Sequence, residues 1–224
     1  MAVSNLASYL DLANHHPDAT SDQIKSLCAK VLKYGFNAAF LNPVHVPLAR
    51  QVLGSQAKVG TVIAFPVGQD TLQVKLAAIK DALQAGTDEL DVSANVALFK
   101  QAQWPAALAD MKPLVAAVKD FDSTKIIKFI IETGYLTPDE ITHAAQTVLN
   151  SGADFVKTCS GMGPRGVTLE DVKIIRQAIG HHIKIKVAGG VTTYDQAIKL
   201  IQAGADRIGT SKAVEIISAT PQTP

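Results

Sequence analysis

The chain has little of what marks a secreted, membrane-spanning or nucleic-acid-binding protein. Only two of its 224 residues are cysteine, and Cys28 and Cys159 form neither a disulfide framework nor a metal-ligand spacing. Charge of one sign is also missing. The formal net charge is +1 and no run of Lys or Arg stands out, which argues against a dedicated nucleic-acid or anionic-membrane surface. No apolar run approaches the roughly 20 residues that span a bilayer, and the start, MAVSNLASYL, has no basic segment followed by a long apolar core. The six histidines, His15, His16, His45, His143, His181 and His182, show no metal spacing joined to carboxylates. These absences predict a reducing, cytoplasmic setting with no membrane, nucleic-acid or metal partner.

What is present is 47% hydrophobic and 18% charged, enough to bury a sizeable core as one globular domain. One phrase recurs four times: KYGFNAAFLN, QAGTDELDVS, NSGADFVKTC and QAGADRIGTS. Each has a glycine (Gly35, Gly86, Gly152, Gly204), one further residue, then Asn or Asp, then an apolar strand. Such glycines cap helices in the left-handed conformation, so these are helix-to-strand joints. Helical periodicity lies upstream of them, as in Leu72, Leu76, Ile79 and Leu83. Asp70 with Gln73 and Thr137 with Glu140 have capping-box spacing. Pro113 is expected to restart or kink a helix drawn from Pro105 to Val118.

Eight candidate strands follow: Tyr9–Ala13, Asn37–Leu41, Lys58–Phe65, Glu89–Ser93, Ile126–Glu132, Asp154–Thr158, Ile183–Val187 and Arg207–Thr210. Eight short strands alternating with helices predict a single-domain (β/α)8 barrel over residues 1–217, with a doubly wound open sheet as the alternative. The tail, 218–224, reads as disordered.

A barrel places its chemistry at the C-terminal ends of the strands. Lys157, Lys186 and Asp91 occupy such places, and strand alternation points Asp91 and Lys186 inward while Leu90, Val92, Ile185 and Val187 face the helices. A lysine of ordinary pKa is neutral in only about 0.04% of molecules at pH 7. Burial and a second ammonium both lower that pKa, so Lys157 beside Lys186 can supply a neutral amine that attacks a carbonyl. Asp91 would move protons. The plainer alternative is that Asp91 is only the ion-pair partner that makes both lysines tolerable. Lys128, Lys184 and Glu132 read as ordinary snorkelling or salt-bridged groups. Gly161, Gly189, Gly190, Gly209 and Ser211 lie in loops after the last three strands, where barrels often bind phosphate through backbone N–H groups.

The segments DFVKTCSGMGPRGVTLEDV, IKIKVAGGVTT and DELDVSAN resemble the Schiff-base strand, the second-lysine strand and the acidic strand of deoxyribose-phosphate aldolase. YLDLANHHPDATSDQI, NAAFLNPVHVPLAR and ADRIGTSKAVEII extend the likeness over nearly the whole chain. The resemblance implies reversible cleavage of 2-deoxy-D-ribose 5-phosphate to acetaldehyde and D-glyceraldehyde 3-phosphate. By it, Lys157 forms the imine, Lys186 tunes it and Asp91 carries protons. Neither metal nor other cofactor is implied, because the protonated imine is itself the electron sink. The partners are then small aldehydes and sugar phosphates, and a homodimer is expected. Met162, Arg165, Thr192 and Lys212 depart from the family pattern at the phosphate end. Arg165 and Lys212 at the mouth would replace the missing positive charge, or Lys212 simply opens the next helix in solvent. Two rivals stand beside this reading: another class I aldolase or transaldolase, and a barrel that merely binds a sugar phosphate.

Overall fold

The computed structural model describes residues 5–220. Eight parallel strands close into a barrel in chain order, the first pairing with the last. They are β1 (Leu10–Asn14), β2 (Ala38–Leu41), β3 (Lys58–Ile63), β4 (Glu89–Ser93), β5 (Ile126–Ile130), β6 (Phe155–Lys157), β7 (Lys184–Ala188) and β8 (Arg207–Thr210). Around them run α1 (Ser21–Tyr34), α2 (Val46–Leu53), α3 (Leu72–Gln84), α4 (Val96–Lys100) and α5 (Trp104–Phe121). The ring is completed by α6 (Pro138–Ser151), α7 (Leu169–Ile179), α8 (Tyr194–Gln202) and α9 (Ala213–Ser218). No helix among the described residues is long and apolar enough to cross a membrane.

The recurring phrase does more than turn the chain. Gly35 and Gly152 cap α1 and α6 at φ 67° and 83°, and Gly86 and Gly204 follow α3 and α8 at 98° and 114°. The acid that comes two residues later then staples the new strand to the one before. Asp88 accepts the N–H of Val59, Asp154 that of Ile127 and Asp206 that of Ile185, each at 2.8–3.0 Å. Arg50, Lys119 and Arg176 neutralise these three acids in turn. One four-residue pattern thus ends a helix, starts a strand and fixes its register.

Several boundaries differ from the sequence reading for local reasons. The first strand starts at Leu10 because Leu6–Tyr9 form a 3-10 turn. β3 stops at Ile63, since Ala64 adopts φ 53°, and β5 stops at Ile130, two residues before Glu132 at φ 52°. The cap of α3 is Thr71, whose side chain accepts the N–H of Val74, and not Asp70. Thr137 and Glu140 form the expected reciprocal box. Pro113 sits inside α5, which runs unbroken for 18 residues. Of the expected disordered tail, Ser218 belongs to α9 and Ala219 and Thr220 hydrogen-bond back to Glu215 and Ile217; 221–224 lie outside the described residues.

Outward strand residues such as Leu90, Val92, Val156, Ile185 and Val187 pack with the helices in the main apolar core. Inside the barrel the filling is unusual. Asp11, Glu89, Asp91, Lys128, Lys157 and Lys186 are all buried there around Phe40 and Phe155. Phe40 fits only because Gly60, its neighbour across the β2–β3 pair, has no side chain. A Cβ at Gly60 would stand 2.3 Å from Phe40 Cζ. The ring cannot swing clear, being packed against Lys186 Nζ 3.2 Å and Lys128 Nζ 4.8 Å from its centroid. Gly60→Ala is therefore expected to destabilise the fold by about 1–3 kcal/mol. A denaturant midpoint equal to that of the wild type would show that the interior repacks freely.

Candidate active site

Register brings the site together. Lys157 and Lys186 are direct partners across β6 and β7, and Asp91 and Lys128 are direct partners across β4 and β5. All four point inward, and neighbouring parallel strands lie about 4.8 Å apart. Their heads converge on Asp91. Lys157 Nζ is 2.7 Å and Lys186 Nζ 2.9 Å from Asp91 Oδ2, while Lys128 Nζ is 3.2 Å from Oδ1. Lys128 also pairs with Glu89 at 2.6 Å, and Lys186 with Asp11 at 2.8 Å. Three buried ammonium groups and three buried carboxylates thus form one cluster, with Lys58 pairing with Glu89 at its edge, 3.2 Å away.

The same cluster treats its lysines differently. Lys128 meets Glu89, Asp91 and Asp11, whose attraction outweighs burial and raises its pKa above the ordinary lysine value. Lys157 meets only Asp91 among the acids. Burial is the largest influence and lowers its pKa; Asp91 pulls it back, and Lys186 and Lys128 push it down again, so it ends below the ordinary value. Asp91 stays ionised. Burial would raise its pKa, yet the three lysines hold it well below the usual carboxylate range. Among the cluster, then, Lys157 is the group poised to lose a proton.

A pocket of about 440 Å³ opens onto this cluster at the C-terminal end of the barrel. Asp91, Lys157 and Lys186 lie on its floor. Its wall includes Gly161, Gly189, Gly190, Gly209, Ser211 and Lys212, so the residues read from the sequence as a site line one cavity, with the exception of Arg165. Gly189, at φ 92°, threads between Cys159 and Gly166, where a Cβ would lie 3.2 Å from both Cys159 Cβ and Gly166 Cα. Gly209 leaves room for Lys186, whose Cε lies 3.1 Å from where a Cβ would be.

Arg165 is a correction. It does not face the mouth; it is clasped by Asp171, at 2.6 and 3.0 Å, and donates to the carbonyls of Gly166 and Thr133. A carboxylate six residues on outcompetes any exposed position for it. Lys212 does line the mouth but also opens α9, with its Nζ 3.0 Å from Glu215. Lys128 is salt-bridged, one of the two expected alternatives, but fully buried, and Glu132 is a buried acid that accepts the N–H of Ser160. Lys184, His181 and His182 are exposed. Asp11, Glu89, Phe40 and His15 were not singled out from the sequence, although Asp11 in LDL and Glu89 two positions before Asp91 carry the same inward parity.

The likeness to known proteins agrees with this geometry. Residues 6–215 match the model of the DeoC/LacD family aldolases. The chain belongs to that family. It is 40% identical to the deoxyribose-phosphate aldolase of Thermococcus kodakarensis, over 99% of each chain. A solved aldolase named QR15 is 34% identical with a TM-score of 0.90, covering 96% of each chain. The tetrameric deoxyribose phosphate aldolase of Aeropyrum pernix is 29% identical with a TM-score of 0.89, over 96% of this chain and 90% of that one. The family is one of carbon–carbon lyases, which accords with a buried amine at the foot of a cavity.

The charge balance makes stability depend on acid. Burial raises the Glu89 pKa, but Lys128 more than offsets this and brings it to about 2, below the ordinary value of 4.5. An acid whose pKa is depressed by folding adds stability above its unfolded pKa and loses it as pH falls towards the folded one. Denaturant stability is therefore expected to hold from neutral pH to about 5 and then fall steeply, Asp91 and Asp88 contributing in the same direction. In Glu89→Gln the fall should be shallower and the stability at pH 7 lower. An unchanged acid slope in that variant would mean that Glu89 is not ion-paired in solution.

Proposed function

We propose that this chain is a class I aldolase that reversibly cleaves 2-deoxy-D-ribose 5-phosphate through an imine on Lys157. The observation that carries the reading is the buried Lys157 amine at the foot of the pocket, with its pKa lowered by burial and by Lys186 despite Asp91 at 2.7 Å. A neutral amine there adds to the C1 aldehyde of the open-chain sugar, and loss of water, with return of the proton that Lys157 gave up, gives the protonated imine. The imine inherits the positive charge of the ammonium, so Asp91 keeps its counter-ion and the cluster stays balanced. The 3-hydroxyl then loses its proton, and the C2–C3 bonding pair flows into the imine. D-Glyceraldehyde 3-phosphate leaves, and an enamine remains on Lys157. Protonation at C2 and addition of water release acetaldehyde and restore the amine. The proton taken from oxygen is returned to carbon, and the water lost is regained.

Asp91 and Lys186 are the proton carriers in this scheme, being the groups in direct contact with Lys157 or its counter-ion. The phosphate is assigned to the backbone N–H groups around Gly161, Gly189, Gly190 and Gly209, with Ser211, and to Lys212 once it leaves Glu215. Arg165 takes no part. The reading includes a cytoplasmic enzyme of deoxyribonucleotide catabolism that assembles as a homodimer.

Borohydride reduction with acetaldehyde, followed by peptide mass spectrometry, is expected to place an ethyl group on Lys157. Modification of Lys186 or Lys128 instead would overturn the assignment. Lys186→Leu is expected to lower turnover by orders of magnitude and to raise the pH at which Lys157 is trapped, because one neighbouring ammonium is gone and Asp91 pairs more fully with Lys157. An unshifted trapping profile would mean that Lys186 does not tune Lys157.

A further inference from the structure

His15 is the residue of the mouth that no step above uses. It follows β1 directly and lines the same pocket as Lys157 and the glycine loops. Its ring is half-buried and packs on Phe65, with centroids 5.2 Å apart; Phe65 in turn has its centroid 6.0 Å from Lys157 Nζ. Its Nδ1 is shielded from solvent and has no hydrogen-bond partner. An unpaired buried nitrogen is unfavourable, and a turn of the ring about its broad Cβ–Cγ torsion would exchange its side-chain contact with Asn42 for a partner to Nδ1. Such a turn would present that nitrogen to the cavity.

The order of strands says what it would meet. In the closed barrel β1 stands next to β8, and the proposed phosphate loops follow β6, β7 and β8. A sugar chain attached to Lys157 at C1 and held at its 5-phosphate by those loops carries its 3- and 4-hydroxyls along this side of the mouth. We propose that the His15 imidazole accepts a hydrogen bond from the 4-hydroxyl, which is the 2-hydroxyl of the acceptor aldehyde in the synthetic direction, and so selects hydroxylated acceptors. This rests on the function proposed above.

The 3-hydroxyl must give up its proton in the reaction and is left to Asp91 and Lys186, the proton carriers of the scheme above. Burial first, and Lys157 next, lower the His15 pKa to about 3, so the ring is neutral at pH 7 and keeps a nitrogen lone pair that can accept a hydrogen bond from the 4-hydroxyl. A site built to bind a substrate hydroxyl discriminates sharply against the analogue that lacks it.

The test measures kcat/KM for addition of acetaldehyde to glyceraldehyde 3-phosphate and to 3-oxopropyl phosphate, which differs only in lacking the 2-hydroxyl. The wild type should prefer the hydroxylated acceptor, and in His15→Leu that preference should fall by about tenfold or more. His15→Asn, which keeps a hydrogen-bonding side chain, should recover part of it. Equal losses on both acceptors, or an unchanged preference, would overturn the inference. Ethyl trapping on Lys157 of the same His15→Leu protein separates these outcomes from misfolding. Failure of the wild type to use either acceptor would count against the proposed function instead.

Discussion

Asp91 places one negative charge in a site with no solvent exposure, and the ammonium groups of Lys157, Lys186 and Lys128 stand 2.7, 2.9 and 3.2 Å from its oxygens. Much of the barrel interior follows from that arrangement. A buried carboxylate needs compensation, but one unit of charge cannot satisfy three lysines. Glu89 and Asp11 make up the difference, one behind Lys128 and the other behind Lys186. Lys157 alone has no second acid. It is the least compensated cation of the cluster, and with Lys186 it lines the cavity.

The apolar parts of the interior serve the same end. Phe40 lies between Lys186 and Lys128 and offers its face to both, an arrangement that Gly60 permits by having no side chain. The ring also displaces water that would screen the cluster. Outside the barrel, Asp88, Asp154 and Asp206 pin β4 to β3, β6 to β5 and β8 to β7. The β4–β5 and β6–β7 pairings between them set Asp91 opposite Lys128 and Lys157 opposite Lys186. A slip of one residue would turn every one of these side chains to the other face.

Much of this was legible in the sequence, for identifiable reasons. ELDVS, DFVKT and IKIKV each set a charged residue between apolar ones, and period-two alternation places that residue inside. The phrase of a glycine followed two residues later by Asn or Asp marked four of the eight strand entries. The rest depended on distance. Alternation alone gave Asp11, Glu89 and Lys128 the same parity, but only the register of non-adjacent segments shows that they touch the cluster. Arg165 was misplaced because a loop arginine has several acceptors within reach, and the sequence does not rank Asp171 above a phosphate. His15 escaped notice because it lies past the end of a strand, where no periodicity applies.

The central claim is that one buried carboxylate, shared unequally, leaves Lys157 the lysine most ready to be neutral. It is tested most directly by titrating the protein with 13C at lysine Cε and following each side chain by NMR, with Lys157→Arg and Lys128→Arg used to assign the two signals. The account predicts that the Lys157 signal titrates below the ordinary lysine range and that Lys128 stays charged beyond it. A Lys157 signal that titrates at or above the ordinary value, alongside Lys128, would contradict it.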